Sequence, residues 1–322
     1  MRRYIDNTES GNYRYCMRRG YFRHIRHWEQ EEISYPLVFG ASMHSAMDVI
    51  WPGIKDGLSD NAIRVGAGEA FVRKWEEETG KSPHDIGDDP DELRMVGPRT
   101  PSIAMEIIAA YIEHRRKFIE ECELLAIELP FAVPLGGDEG TAWYVGRLDK
   151  VVRKGGRIYG IEHKTTTWGS KNTGFNRHYL EGFTPDTQID GYTHAMRMLY
   201  GKEFKSIYVD AILVNAYIYD CFKLIPIERA TAHIEAWFWE TNKLLENIEN
   251  EKKSLQLTGL EETGSFLRSF PKDRYKCDWC PYIDICKMHP DPECLAEPPK
   301  GFREKKWEPF DLLHLDSIGM EK

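Results

Sequence analysis

The sequence predicts an α/β protein, one α/β core with a helical insertion. Three observations carry this. Helical periodicity fills most of the first 120 residues. Short β-rich runs follow between 124 and 227, with one helix among them. A long amphipathic stretch then leads into a cysteine-bearing tail.

Taken in order, residues 1–30 read as a basic, helical arm. Arg2, Arg3, Arg14, Arg18, Arg19, Arg23 and Arg26 outnumber Asp6 and Glu9, and are interleaved with Tyr4, Tyr13, Tyr15, Tyr21, Phe22 and Trp28. Aromatics stack bases and guanidinium groups bind phosphate, so the mixture suits a single nucleic-acid strand; it equally suits a solvated helix with a few buried aromatics. Residues 36–50 form a helix with Phe39, Met43, Met47 and Ile50 on one face, and 60–78 a second. The Pro-, Gly- and Asp-rich stretch 79–101 reads as a loop. Thr100 as N-cap and Pro101 at the first helical position open a helix to about 123, with the stripe Ile103, Ile107, Tyr111, His114, Phe118 and Cys122.

Three β runs follow, at 124–135, 141–154 and 157–167, the last two separated by Gly155-Gly156 as in a tight hairpin. Residues 168–183 read as a polar loop, and Thr184-Pro185 starts a helix to about 200. Strands at 206–216 and 217–227 precede an amphipathic helix over 228–252. The order divides into an N-terminal basic arm and histidine-bearing helix (1–50), a helical insertion (51–123), an α/β core (124–252) and a cysteine-bearing tail (253–322). No internal repeat interrupts it.

The 322 residues are 41% hydrophobic and 30% charged, with a mean hydropathy of −0.54. Such a composition excludes collagenous and wholly disordered chains. The net charge of −9 argues against a nucleic-acid coat protein but not against a nucleic-acid enzyme, whose charge can be segregated. No apolar run approaches the ~18 residues of a membrane span, and the N-terminus has no apolar signal core, so no membrane association and a cytoplasmic location are expected.

The sharpest chemical signal is GRLDKVVRKGGRIYGIEHKTTT. Asp149 lies towards the end of one strand and Glu162 within the next. Lys164 is two residues on, so the strand period puts Glu162 and Lys164 on one face, and the hairpin brings Asp149 beside them. Two carboxylates suit a hard cation such as Mg²⁺ or Mn²⁺, and a lysine suits charge building on phosphorus. Glu128, on the strand before, is a candidate further acid. Seven cysteines are unlikely disulfide partners in a reducing cytosol, and Cys277, Cys280 and Cys286 form a C-x2-C-x5-C cluster with metal-ligand spacing.

These motifs together resemble PD-(D/E)XK nucleases, specifically the RecB-like branch. His44 in FGASMHSAMD resembles the histidine that this branch places on a helix over its metal site. Gln188 and Tyr192 in DTQIDGYTHAM resemble its Gln-x3-Tyr motif and share a helix face at i, i+4. Cys16 with the late Cys277, Cys280 and Cys286 resembles the iron–sulfur staple of the CRISPR-associated RecB-like exonucleases (the fourth Cas protein) and of the AddB nuclease domain.

The resemblance implies an α/β restriction-endonuclease-like core, a central mixed sheet flanked by helices, with a helical insertion and an Fe–S staple joining the N- and C-terminal parts. It implies a divalent-metal-dependent DNA exonuclease, phage- or CRISPR-associated, acting on DNA ends or single strands. His44, Asp149, Glu162 and the main-chain carbonyl of Ile161 would hold the metal, with Lys164, Gln188 and Tyr192 as further active-site groups. Cys16, Cys277, Cys280 and Cys286 would hold a [4Fe-4S] cluster, with Zn²⁺ as the alternative ion and Cys294 as the rival fourth ligand. The alternative function is a catalytically inactive Fe–S or zinc DNA-binding adaptor of the same fold.

Overall fold

The computed structural model of the protein describes residues 3–82, 90–136, 142–258, 273–289, 295–309 and 313. Contacts divide the chain into two units: Met1–Glu32, Pro130–Arg147 and Ala230–Lys322 in the first, Ile33–Leu129 and Leu148–Arg229 in the second.

The first unit opens with β1 (Arg3–Ile5), α1 (Asn7–Tyr15), α2 (Met17–Gly20), a π-helical turn at Tyr21–Ile25 and β2 (Trp28–Gln30). Asp6 caps α1 by accepting from the Glu9 N–H at 2.6 Å. The segment is no free arm. Tyr13, Tyr21, Phe22 and Trp28 are all buried, with Phe22 stacked on Trp28 at 5.5 Å. Arg18 is buried too, Arg3 pairs with Glu9 and Glu249, and Arg26 lies over the Trp28 ring. The aromatic–arginine mixture is therefore explained by packing, not by a surface that stacks bases.

The second unit carries α3 (Tyr35–Lys55), α4 (Asp60–Thr79), α5 (Pro90–Val96) and α6 (Pro101–Glu120). The Ser59 hydroxyl caps α4, and Gly80, in the left-handed region at φ 67°, ends it. Thr100 caps α6 through the Ile103 N–H, as its sequence predicts. Helix α5 occupies part of the stretch read as a loop. Its local signals are weak, but Val96 and Glu92 are buried, and Glu92 takes bonds from Tyr35 and Lys81. Residues of α3, α4 and α6 form one hydrophobic core with Val152, Ile161 and Ile212, so the helices of 51–123 pack with the strands rather than apart from them.

Strands β3 (Glu123–Pro134) and β4 (Ala142–Lys154) run from one unit into the other and pair with each other. The start of β4 pairs in parallel with β1, Tyr4 opposite Trp143. Gly155 and Gly156, at φ 57° and 74°, turn β4 into β5 (Arg157–Thr166), antiparallel with Lys150 opposite Ile161. A ribbon follows, β6 (Gly169–Ser170) and β7 (Gly174–Phe175), then α7 (Arg177–Glu181) and α8 (Thr187–Tyr200). The ribbon and α7 replace the expected loop, and α8 starts three residues past Thr184 because the Asp186 carboxylate accepts from the Ile189 N–H. Strand β8 (Phe204–Leu213) is parallel to β5, and β9 (Phe222–Ile227) antiparallel to β8, so the sheet is mixed. Pairing in the predicted run 217–227 begins only at Phe222.

The tail of the first unit holds α9 (Thr231–Thr258), α10 (Arg274–Cys277), α11 (Ile283–Met288) and β10 (Phe302–Glu304), which pairs with β2. Among the described residues, no helix is long and apolar enough to cross a membrane.

Candidate active site

The period of two along β5 separates its side chains cleanly. Ile161 joins the core under α3, whereas Glu162 and Lys164 turn the other way, towards α8. Lys164 Nζ donates to Glu162 Oε1 at 2.5 Å and to Gln188 Oε1 at 2.8 Å, and Gln188 Nε2 donates to Tyr192 Oη at 3.0 Å. The residues of two separate sequence motifs thus form one hydrogen-bonded chain. The N-terminal turn of α8, which presents Gln188, is held by Arg229, bonded to Asp190, the Phe183 carbonyl and Thr184.

Asp149 is buried on β4. It accepts from the His163 main-chain N–H at 2.7 Å, and His44 Nδ1 lies 3.3 Å from its other oxygen. His44 Nε2 lies 3.0 Å from the His163 carbonyl. One ligand atom each of His44, Glu128 and Asp149 falls within 4.8 Å of the others. Glu128 sits in the left-handed region at φ 50°, which a glutamate adopts at a cost of order 1 kcal/mol or more and which breaks the regular alternation of β3. Such a kink re-aims a side chain, here towards His44 and Asp149. The main-chain N–H and carbonyl of His163 both contact this cluster.

Glu162 is 2% exposed, and its Oε2 has no hydrogen-bond partner. Burial, reinforced by the Asp149 charge, pushes its pKa up to about 7, against the pull of Lys164. Burial alone would raise the Asp149 pKa, but the His44 charge reverses the shift and holds it below the usual carboxylate range. For His44, burial opposes protonation, yet Asp149 outweighs it and lifts the pKa to about 9. Burial likewise works against the Lys164 charge, and Glu162 overrides it, leaving the pKa raised.

Behind the site lies a second buried cluster. Asp210 on β8, opposite His163 in the sheet register, accepts from Tyr111 Oη at 2.5 Å and from Arg115 at 2.6 and 3.0 Å, and lies 3.4 Å from His163 Nδ1. Lys150, fully buried, pairs with Asp48 of α3. Both clusters tie β4, β5 and β8 to the helices and fix the register that aligns Asp149 with Glu162. Each joins residues about 100 positions apart, so no local pattern announces them.

The donor set fits a hard divalent cation: carboxylate oxygens, an imidazole and an orphaned carboxylate oxygen that a cation would satisfy. Binding by both Glu162 and His44 requires each to lose its proton. Titration calorimetry in buffers of different ionisation enthalpy should therefore show about two protons released per Mn²⁺ at pH 6 and about one at pH 8. Release of one proton at pH 6 and none at pH 8 would place His44 outside the coordination shell.

In the first unit, Cys16, Cys277, Cys280 and Cys286 all line one cavity of about 340 Å³, together with Tyr15, Phe22 and Tyr282. Hydrogen-bonded turns hold the thiols: the Cys280 N–H donates to the Cys277 carbonyl at 3.0 Å and the Cys286 N–H to the Tyr282 carbonyl at 3.1 Å. Burial pushes the thiols of Cys16 and Cys280 up, and neighbouring cysteines add to this. Cys122 and Cys221 belong to the second unit and do not line this cavity. Cys294 falls outside the described residues.

A search of curated proteins finds no match. Among solved structures, an Eubacterium rectale protein named provisionally as an exonuclease is similar at 14% identity over 75% of this chain and 80% of its own, with a TM-score of 0.45. The structure of SSO0001 is similar at 18% identity over 63% of this chain and 79% of its own, with a TM-score of 0.27. The family model described as the PD-(D/E)XK nuclease superfamily matches residues 8–287, spanning every motif assembled above. The chain belongs to the PD-(D/E)XK nuclease superfamily.

Proposed function

We propose that this chain is a divalent-metal-dependent DNA exonuclease that hydrolyses phosphodiester bonds at DNA ends or in single strands, in the phage- or CRISPR-associated setting its motif set implies. The observation that carries the reading is Glu162 Oε2, buried and unpartnered beside Lys164 and within the field of Asp149. A buried carboxylate oxygen without a donor costs about 1–3 kcal/mol or more, a cost that a bound cation would offset.

Asp149, Glu162 and His44, with Glu128 beside them, would hold Mg²⁺ or Mn²⁺. When bound, the ion supplies charge against the phosphate and makes water a better nucleophile at neutral pH. The remaining work falls to the chain. The Lys164 ammonium, fixed by Glu162 and Gln188, is placed to neutralise charge growing on the phosphate oxygens. Tyr192 accepts from the Gln188 amide and so keeps its oxygen turned to Lys164.

For the four cysteines we favour a [4Fe-4S] cluster over Zn²⁺. Four thiolates suit either group, and the likeness of Cys16 and the late C-x2-C-x5-C run to the iron–sulfur staple is what favours iron.

The test is digestion of end-labelled single- and double-stranded DNA with Mg²⁺, Mn²⁺ or EDTA. Metal-dependent shortening from the ends is expected. DNA binding without cleavage under every metal condition would replace the reading with an inactive adaptor of the same fold.

A further inference from the structure

Trp168 lies just past the strand that carries Glu162 and Lys164, and its ring is 63% exposed. Its backbone, by contrast, is fastened on all sides. The Trp168 N–H donates to Thr166 Oγ1 at 3.0 Å, and its carbonyl accepts from Asn176 at 2.9 Å. Thr166 is itself tied to β8 through the Val214 N–H at 2.7 Å. The next residue, Gly169, sits so close to the returning strand that a Cβ there would lie 2.5 Å from the Gly174 carbonyl oxygen. Beyond the ribbon, Phe175 stacks on Tyr179 and Tyr179 meets Phe183 edge-on. The indole is thus exposed on an anchored backbone, with its flat face available to a ligand ring.

Arg99 supplies a second observation. Its guanidinium is half-buried and donates to Thr167 Oγ1 at 3.1 Å, next to Trp168 in the chain. Among the described residues no carboxylate pairs with it. A desolvated guanidinium without an acid favours an anion with planar oxygen geometry, such as a phosphate. In the turn of the ribbon, Lys171 Nζ lies 4.9 Å from the ring centroid of Tyr217, itself 74% exposed. The stretch after β5 thus presents cations and aromatics, the pairing that tracks a single strand by its phosphates and base faces.

We propose that Trp168 and Arg99 form a clamp for single-stranded DNA beside the catalytic strand, Trp168 stacking one base and Arg99 holding a neighbouring phosphate. Along an extended backbone the four residues from Lys164 to Trp168 span about 13 Å, so the stacked base belongs to a nucleotide near the scissile bond rather than the one carrying it. The clamp rests on the nuclease reading for its substrate.

The test scans a single abasic site along an oligothymidylate strand and measures affinity by fluorescence anisotropy. It uses the Glu162→Ala protein, so that the strand is not degraded, with and without Trp168→Ala. One abasic position is expected to weaken binding about tenfold, as loss of one stacked base does. Trp168→Ala should weaken binding of the intact strand by a similar factor and make that position silent, while Trp168→Phe restores the profile. Arg99→Ala should leave the profile in place but reduce the slope of log affinity against log salt by about 0.7, the share of one phosphate on a single strand. Losses from the abasic site and from Trp168→Ala that add at every position would overturn the stacking, and an unchanged salt slope would overturn the phosphate contact. Failure of the nuclease reading looks different. The unmodified protein would then cleave no strand with any metal, while the abasic scan still reports whether Trp168 stacks.

Discussion

Glu162→Gln will lower phosphodiester cleavage on the order of 10³-fold or more, and at pH 8 it will raise the melting temperature of the metal-free protein by a few degrees. The two effects have one origin. Glu162 is buried, one of its oxygens has no partner, and its pKa stands at about 7 against an ordinary 4.5. A carboxyl whose folded pKa is raised binds more protons folded than unfolded between those values, so its contribution to stability falls as pH rises through that window and stays at its lowest above about 7. The amide never ionises. It keeps an oxygen for the Lys164 ammonium but has no anion to offer a cation. Thermal denaturation of both proteins at pH 5 and pH 8, with EDTA, should show the stabilisation at pH 8 and little of it at pH 5. Added Mn²⁺ should raise the melting temperature of the parent and not of the variant. Lys164→Ala should cost about 10²-fold in cleavage, as loss of one charge-stabilising group does. Near-normal cleavage by Glu162→Gln would remove the basis of the nuclease assignment, and an equal thermal shift at both pH values would show that the gain is packing and not charge.

Much of the candidate site can be read in advance because it is local. A period of two puts Glu162 and Lys164 on one face, two glycines at positive φ join β4 to β5, and i, i+4 spacing puts Gln188 and Tyr192 on one side of α8. What escapes is non-local or depends on burial. Strand alternation marks Lys150 as ordinary, yet it is fully buried, and its partner Asp48 is 102 residues away. Asp210, Arg115 and Tyr111 look like scattered polar residues until β8 pairs with β5 and α6 packs behind them. Glu128 is visible as a strand acid, but the left-handed backbone that aims it at His44 has no signature in a non-glycine residue. The N-terminal arginines and aromatics show where composition leaves two readings open. Their composition matches a strand-binding surface, but composition does not reveal which rings are inside, and Tyr13, Tyr21, Phe22 and Trp28 are. Trp168, exposed just past β5, lies instead in a stretch whose polar residues read as loop.

Cys16→Ser should abolish the visible absorbance of the aerobically unexposed protein and lower its melting temperature about as much as Cys280→Ser, by on the order of 10 °C. Cys16 and Cys277 are 261 positions apart, but both thiols line the same cavity in the first unit. A cluster that only the folded chain can hold stabilises that fold by its binding free energy, and each missing thiolate removes most of it. The drop should stop short of unfolding, because other contacts already join the same segments. Strand β2 pairs with β10, Tyr282 Oη donates to the Trp28 carbonyl at 2.7 Å, and the Lys305 N–H donates to the His27 carbonyl at 2.7 Å. Far-ultraviolet circular dichroism of the variants should therefore remain close to that of the parent at room temperature. Cys122→Ser and Cys221→Ser should keep the colour, since neither thiol lines the cavity, although Cys122→Ser sets a hydroxyl in the hydrophobic core and lowers the melting temperature without bleaching. Iron and acid-labile sulfide should be near four each per chain, whereas one equivalent of zinc and no colour would establish a single-ion site. If Cys294→Ser bleaches the protein while Cys16→Ser leaves it coloured, the cluster is confined to the tail. Tyr282 and the β2–β10 pairing would then be what joins the ends of the first unit, with Glu162 and Lys164 untouched by that outcome.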